Sequence, residues 1–231
     1  MIDWHSHVLP RVDDGSRSVS ESLQMLTLLG GQGVDTVIAT PHFYADDCSL
    51  DEFIEKRAAA YEALAQHLSE KMPRILLGAE VKYYPGISRM TGLERLAIEN
   101  TSLLLLEMPI SKWTEYTVRE LIEISSSRGI TVILAHMERY FLMQGAETQR
   151  RILESGVLMQ ANSSFFTSFG NRRRAMSLLD GGLIQFVGSD CHNLKSRPPR
   201  ISGAYDLIRK RLGDSFVIQM NEYGYSALGL K

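Results

Sequence analysis

The chain has six histidines. Five of them, His5, His7, His42, His136 and His192, stand at the end of a short apolar run or just after one, and only His67 lies inside a helical stretch. Carboxylates share these addresses: Glu80 follows RILLGA, Glu107 follows SLLLL and Asp190 follows FVGS. His5-Ser6-His7 has a spacing of two, which puts both imidazoles on one side of an extended chain and suits two ligands of one metal ion. Asp190 and His192 repeat that spacing. A carboxylate ending a buried strand is costly unless it is paired or coordinates a cation. Each feature alone has a bland reading. His42 alone reads as a hydrogen-bonded structural residue, and Asp13-Asp14-Gly15 reads as a turn, with one of the two aspartates serving only that turn. All of them together do not fit the bland reading. Imidazole and carboxylate without thiolate suit manganese, iron, zinc or magnesium.

Residues scattered from position 5 to 192 meet only if the fold gathers strand ends. Short runs rich in Ile, Val and Leu are expected as strands at Met1–Trp4, Thr36–Ala39, Arg74–Val81, Ser102–Glu107, Thr131–Ala135, Leu158–Ala161 and Gln185–Gly188. Their continuous apolar character suits parallel strands buried on both faces. Helical patterns lie between them at Val19–Gly33, Leu50–Lys71, Tyr116–Arg128, Thr148–Ser155, Asn171–Asp180 and Ala204–Leu212. Ser18-x-x-Glu21 fits a capping box. Gly33, Gly129, Gly156 and Gly182 sit where helices should stop. The repeated strand–helix order predicts an α/β protein with a parallel sheet, closed or nearly closed into a barrel, with an open sheet as the alternative. In such barrels, residues at the carboxyl ends of strands converge on one face. No linker or repeat divides residues 1–231, so one domain is expected.

Bulk properties narrow the function classes. The 231 residues are 44% hydrophobic and 23% charged, a globular composition, and the net charge of −2 makes no case for nucleic acid or membrane binding. Two cysteines, Cys48 and Cys191, supply neither a disulfide framework nor a thiolate zinc site. MIDWHSH has no charged leader or apolar region of a signal peptide, and no apolar run approaches the ~20 residues of a membrane span. A cytoplasmic enzyme is the expectation.

The segments MIDWHSH, VDDG, ATPHF, LGAE, LLLLEMP, AHMERY and GSDCHN resemble, in order, the motifs of the polymerase and histidinol phosphatase (PHP) superfamily. The likeness is strongest to its manganese-dependent protein-tyrosine phosphatases, encoded with bacterial capsule and exopolysaccharide genes. It implies a distorted (β/α)7 barrel holding three divalent metal ions, manganese foremost, with iron, zinc or magnesium as alternatives. It implies His5, His7, Glu80 and Asp190 around one ion. Glu80, Glu107 and His136 surround a second, with Glu80 bridging, and Asp14, His42 and His192 surround the third. Met137 departs from the pattern, since many relatives have Pro in H-P-E-R, but this position is not a ligand.

Clustered cations lower the pKa of water, which suits phosphoester hydrolysis. Developing negative charge then needs further cations. Arg139, three residues after His136, and Arg197, five after His192, are the candidates, because guanidinium matches phosphate oxygens in a fork. The resemblance points to the same two arginines and to phosphotyrosine protein as substrate, specifically the tyrosine-rich tail of a bacterial tyrosine kinase. A small-molecule phosphatase such as histidinol phosphatase is the alternative within the enzyme class. A catalytically inactive metal-binding regulatory domain is the alternative outside it. Cys191 to Arg197 also matches C-x5-R, the bare pattern of thiolate tyrosine phosphatases. With no glycine between Cys191 and Arg197, and with His192 inside D-x-H, the segment reads as metal-site sequence instead.

Overall fold

The computed structural model describes residues 1–230 and all their side chains save that of Ser127; Lys231, the last residue of the span read as one domain, lies outside them. The strands are β1 (Ile2–Ser6), β2 (Thr36–Ala39), β3 (His42–Phe43), β4 (Arg74–Leu77), β5 (Glu80–Lys82), β6 (Leu103–Glu107), β7 (Thr131–Leu134), β8 (Leu158–Asn162) and β9 (Phe186–Gly188). The helices are α1 (Val19–Gly31), α2 (Leu50–Ala65), α3 (Glu115–Ser127), α4 (Ala146–Glu154), α5 (Ser163–Thr167), α6 (Arg172–Asp180), α7 (Ser202–Leu212) and α8 (Asp214–Ala227). The strand orders are β1-β2-β4 and β3-β5-β6-β7-β8-β9, and the pairings are parallel.

The two sheets are one curled wall. β3 prolongs β2 beyond Thr40-Pro41, and β5 prolongs β4 beyond Gly78-Ala79. Pro41 has no N–H, so the ladder is interrupted there. Hydrogen bonds from Gly78 N to Ala39 O (2.8 Å) and from Glu80 N to Pro41 O (3.0 Å) carry it across the gap. At the far seam β1 meets the end of β9 through a parallel Ser6–Cys191 bridge, with Asp190 N donating to His5 O (2.8 Å) and His7 N to Cys191 O (2.9 Å). Seven staves therefore enclose a distorted barrel, as the sequence predicts.

Strand alternation divides the apolar side chains into two layers. Leu103 and Leu105 join Ile2, Trp4, Ile133 and Phe186 in an inner cluster, while Leu104 and Leu106 join Val132, Leu134 and Leu121 in the layer beneath the helices. A fully buried side chain of this kind contributes about 1.5–3 kcal/mol, so near-continuous apolar strands are what two covered faces require. α8 closes the barrel at the strand N-termini. Its Gly224 lies so close to β1 that an added Cβ would come within 2.9 Å of Ile2 Cδ1 and 3.2 Å of Trp4 Cζ2.

Several expectations need correction. The stretch Arg74–Val81 is two strands, not one, and the helix expected over Leu50–Lys71 ends at Ala65. Ser18 caps α1 through Glu21 N (3.1 Å), but Glu21 returns its carboxylate to Arg17 N, so the box is half formed. The full box lies at Ser49 and Glu52, at the start of α2. α5 and α8 were not expected. The four glycines read as helix stops all have positive φ. Met137 is fully buried in the outer core, so its departure from Pro bears on packing.

Candidate metal centre

The nine predicted ligands converge at the carboxyl ends of the strands. Strict alternation from the inward-facing Ile2 and Trp4 would turn His5 away from the interior. Between Asp3 and Ser6, however, β1 gains one residue relative to β2, and such a bulge reverses the alternation. His5 Nε2 and His7 Nε2 then lie 3.2 Å apart. Asp13, Asp14 and Gly15 fold back against His7. A Cβ on Gly15 would lie 2.4 Å from His7 O, so only glycine permits that approach. His136 (φ 34°) and Asp190 (φ 54°) follow β7 and β9 in the left-handed region, an unusual backbone for non-glycine residues that concentrates at functional sites.

Glu80 is the hub. Its Oε2 lies 3.1 Å from His5 Nε2, 3.3 Å from His7 Nε2 and 3.0 Å from His42 Nδ1, and its Oε1 lies 2.7 Å from His136 Nε2. Glu107 Oε1 is 3.4 Å from His136 Nε2. Asp14 Oδ1 lies 3.5 Å from His42 Nε2 and 3.4 Å from His192 Nε2, and Asp190 Oδ1 lies 3.7 Å from His5 Nε2 and 3.6 Å from His7 Nε2. Three clusters have ligand atoms close enough to share an ion: His5, His7 and Asp190; His42, Glu80 and Glu107; and His7, Asp14, His42 and His192. His7 and His42 thus reach across the sets that the family likeness assigns. His67 belongs to none of them.

The donor set fits a divalent cation on a direct observation. Glu80 Oε2, His42 Nδ1, His136 Nδ1 and His192 Nε2 are buried without a hydrogen-bond partner among the described residues, although buried polar atoms are nearly always satisfied. Burial opposes charge on Glu80, yet His5, His136 and His42 hold its carboxyl well below the usual range. Burial also opposes charge on His7, but Asp13 and Glu80 outweigh it and push the imidazole up to about 10. Burial and the neighbouring His7 push His192 down to about 4. Protons and divalent cations compete for such nitrogens.

Residues that the sequence reading passed over orient these ligands. Asp13 is no mere turn residue: its Oδ2 accepts from His7 Nδ1 (2.6 Å) and His42 N (2.9 Å). Gln160 Oε1 accepts from His5 Nδ1 (3.2 Å) and His136 N (2.6 Å). These bonds leave the Nε2 lone pairs of His5 and His7 facing the cluster. Asn162 donates to Asp190 Oδ2 (2.8 Å). The signal was legible in LMQAN, where two polar residues at period two end a buried strand. Asp3 is fully buried, and burial pushes its carboxyl up to about 6 while Ser189 N donates to it at 2.7 Å.

Both predicted arginines reach the centre through Asp190. Arg139 Nη2 lies 2.8 Å from Asp190 Oδ2 and Arg197 Nη2 lies 2.6 Å from Oδ1, with side chains 37% and 39% exposed. They line a cavity of about 650 Å³ beside the cluster. Cys191 does not face it. The thiol is buried in the apolar layer, and burial with nearby Asp3 pushes its pKa far up. The amides of Lys195, Ser196 and Arg197 donate to Asn193 Oδ1 at 2.9, 2.8 and 3.3 Å, so they do not form an anion cradle.

Residues 1–223 match the family model for capsular polysaccharide synthesis proteins of the CpsB/CapC type. The chain belongs to the CpsB/CapC family. Relatives in it include the tyrosine-protein phosphatase CpsB of Streptococcus pneumoniae, 31% identical over 92% of this chain and 91% of that protein. Another is the tyrosine-protein phosphatase YwqE of Bacillus subtilis, 28% identical over 96% of this chain and 89% of that one. A crystal structure from a study of YwqE and CpsB, described there as metal-dependent tyrosine phosphatases, superposes with a TM-score of 0.83 at 23% identity, covering 100% of this chain and 96% of that one. An organophosphorus hydrolase variant from Deinococcus radiodurans superposes with a TM-score of 0.54 at 14% identity, over 95% of this chain and 89% of that one, which extends the likeness of fold alone. No helix among the described residues is long and apolar enough to cross a membrane.

Proposed function

We propose that this CpsB/CapC protein is a metal-dependent protein-tyrosine phosphatase. Its substrate is a phosphotyrosine protein, the tyrosine-rich tail of a bacterial tyrosine kinase that governs capsule or exopolysaccharide synthesis, and it acts in the cytoplasm. The observation that carries the reading is the buried Oε2 of Glu80, within ion-pair reach of three imidazole nitrogens yet hydrogen-bonded to none of the described residues, beside two cavity-lining arginines. We assign His5, His7, Asp14, His42, Glu80, Glu107, His136, Asp190 and His192 to three divalent ions, manganese foremost. When bound, such ions supply Lewis-acid stabilisation and a water nucleophile near neutral pH.

The chain's own groups do the rest. Asp13 and Gln160 fix the tautomers of His7 and His5, so that both Nε2 atoms stay available as ligands. Arg139 and Arg197 each spend one nitrogen on Asp190. A guanidinium carries five N–H donors, so each keeps donors that can take phosphoryl oxygens. Their positive charge offsets the charge that grows on those oxygens as the P–O bond breaks. The departing phenolate has a pKa of about 10, which makes it a fair leaving group.

A panel of phosphotyrosine peptide, phosphoserine peptide and histidinol phosphate, each with Mn²⁺, tests the reading. The phosphotyrosine peptide is expected to be turned over fastest. Preference for histidinol phosphate would replace the protein substrate by a small molecule, and no turnover of any would leave only a regulatory metal-binding role.

Arg139→Ala and Arg197→Ala are each expected to lower kcat/KM on the order of 10²- to 10³-fold, the usual cost of removing one electrostatic stabiliser. Because both arginines also hold Asp190, metal content must be measured alongside rate. Metal lost in step with activity would make them supports of Asp190 instead of phosphate ligands.

A further inference from the structure

The cavity that holds Arg139 and Arg197 runs outward past Ser163, Ser164 and Thr167 of α5 to Arg200. At about 650 Å³ it falls in the range that accommodates a whole ligand, beyond what a phosphoryl group needs. From Thr167 the chain passes through Ser168 to Asn171 and enters α6 with Arg172, Arg173 and Arg174. Phe169, in that turn, is 91% exposed, and the Arg172 guanidinium lies 5.9 Å from its ring centroid. Arg173, Arg174 and Arg200 are exposed. Among the described residues none of these four arginines forms an ion pair, whereas Arg139 and Arg197 both do.

A run of exposed arginines is often only a solvated face, but three features set this one apart. The net charge of the chain is −2, so the patch runs against the whole. Three cations occupy the first turn of α6, where the helix dipole disfavours positive charge, and the Asn171 side chain makes no capping bond there. A large aromatic ring stands in solvent beside them, two residues along the chain from Thr167, which lines the cavity that holds Arg139 and Arg197. Resting on the phosphotyrosine reading above, we propose that this rim recognises acidic residues flanking the phosphotyrosine of the substrate. Carboxylates on the peptide pair with Arg173, Arg174 and Arg200, and Phe169 packs against the apolar part of the same segment. Guanidinium groups favour such planar carboxylate partners.

The test compares the wild-type chain with an R173A/R174A/R200A variant in Mn²⁺. The substrates are phosphotyrosine peptides with acidic, neutral or basic flanks, and p-nitrophenyl phosphate. The wild type is expected to prefer the acidic peptide. The variant should lose on the order of tenfold in kcat/KM on that peptide through KM, as a few exposed ion pairs allow. Its kinetics on p-nitrophenyl phosphate and on the neutral peptide should be unchanged. High salt should erase the wild-type preference, because exposed pairs are screened. A variant that keeps the acidic preference overturns the proposal, and so does one that weakens on all substrates alike. Loss of binding to phosphatidylglycerol vesicles with peptide kinetics intact would assign the patch to a membrane surface and overturn it too. If the wild-type chain hydrolyses p-nitrophenyl phosphate but no phosphotyrosine peptide, the substrate reading fails first and this one with it.

Discussion

Glu80→Gln is expected to lower kcat on the order of 10³-fold while the fold survives. The amide keeps the shape of the side chain and removes its charge. That charge is the common neighbour of four imidazoles: His5, His7 and His42 about one oxygen, and His136 on the other. Glutamine offers a single carbonyl oxygen and would turn an NH₂ donor toward nitrogens that need to act as acceptors. Among the described residues no other carboxylate of the nine pairs with four imidazoles. The barrel wall near Glu80 rests on backbone pairing of β5 with β3 and β6, which an isosteric change leaves alone. The checks are steady-state kinetics, metal content per chain and a thermal melt. Near wild-type turnover with a full metal complement would refute the hub role.

Chelation should silence the enzyme, and loss of the Cys191 thiol should not. EDTA is expected to lower activity at least on the order of 100-fold, with recovery on adding Mn²⁺, because the water nucleophile depends on the ions. Cys191→Ala is expected to stay within about threefold of wild type, since a buried thiol of raised pKa serves as packing. Its cost should appear as a modest loss of stability, about 1 kcal/mol, for a small cavity. The segment after Cys191 turns its amides to Asn193 Oδ1, leaving no nest in which a thiolate could meet phosphate. Full activity in EDTA with a dead Cys191→Ala variant would reverse the mechanism.

The candidate ligands stand out in the sequence because parallel strands buried on both faces tolerate polar residues chiefly where they end. Glu107 after SLLLL or His136 after TVILA is therefore conspicuous. The supporting residues are less so. Gln160 is marked only by its period-two partner Asn162 at the end of LMQAN, and Asp13 sits in a D-D-G turn where aspartate has an ordinary local reason to occur. The bulge in β1 leaves no trace in the pattern, since Ile2-Asp3-Trp4-His5 alternates apolar and polar residues straight through it. α8 escaped because Gly224 interrupts its helical pattern, and that interruption is what lets the helix lie against Trp4. α5 is too short to show a period. The break in Arg74–Val81 is marked only by Gly78, which a strand can also accommodate.

The seam between β1 and β9 carries a cost in assembly. Asp3 and Ser189, hydrogen-bonded across it, stand 186 positions apart. Closing so long a loop is entropically unfavourable and slows folding. During synthesis the first histidine pair therefore waits for Gln160 and Asp190 until most of the chain has emerged. An ion gripped by both His5 and Asp190 would bind the closed ring and not the open one, so its binding energy becomes latch energy for the ring. Metal supply would then govern how long the finished molecule stays shut as well as how fast it turns over.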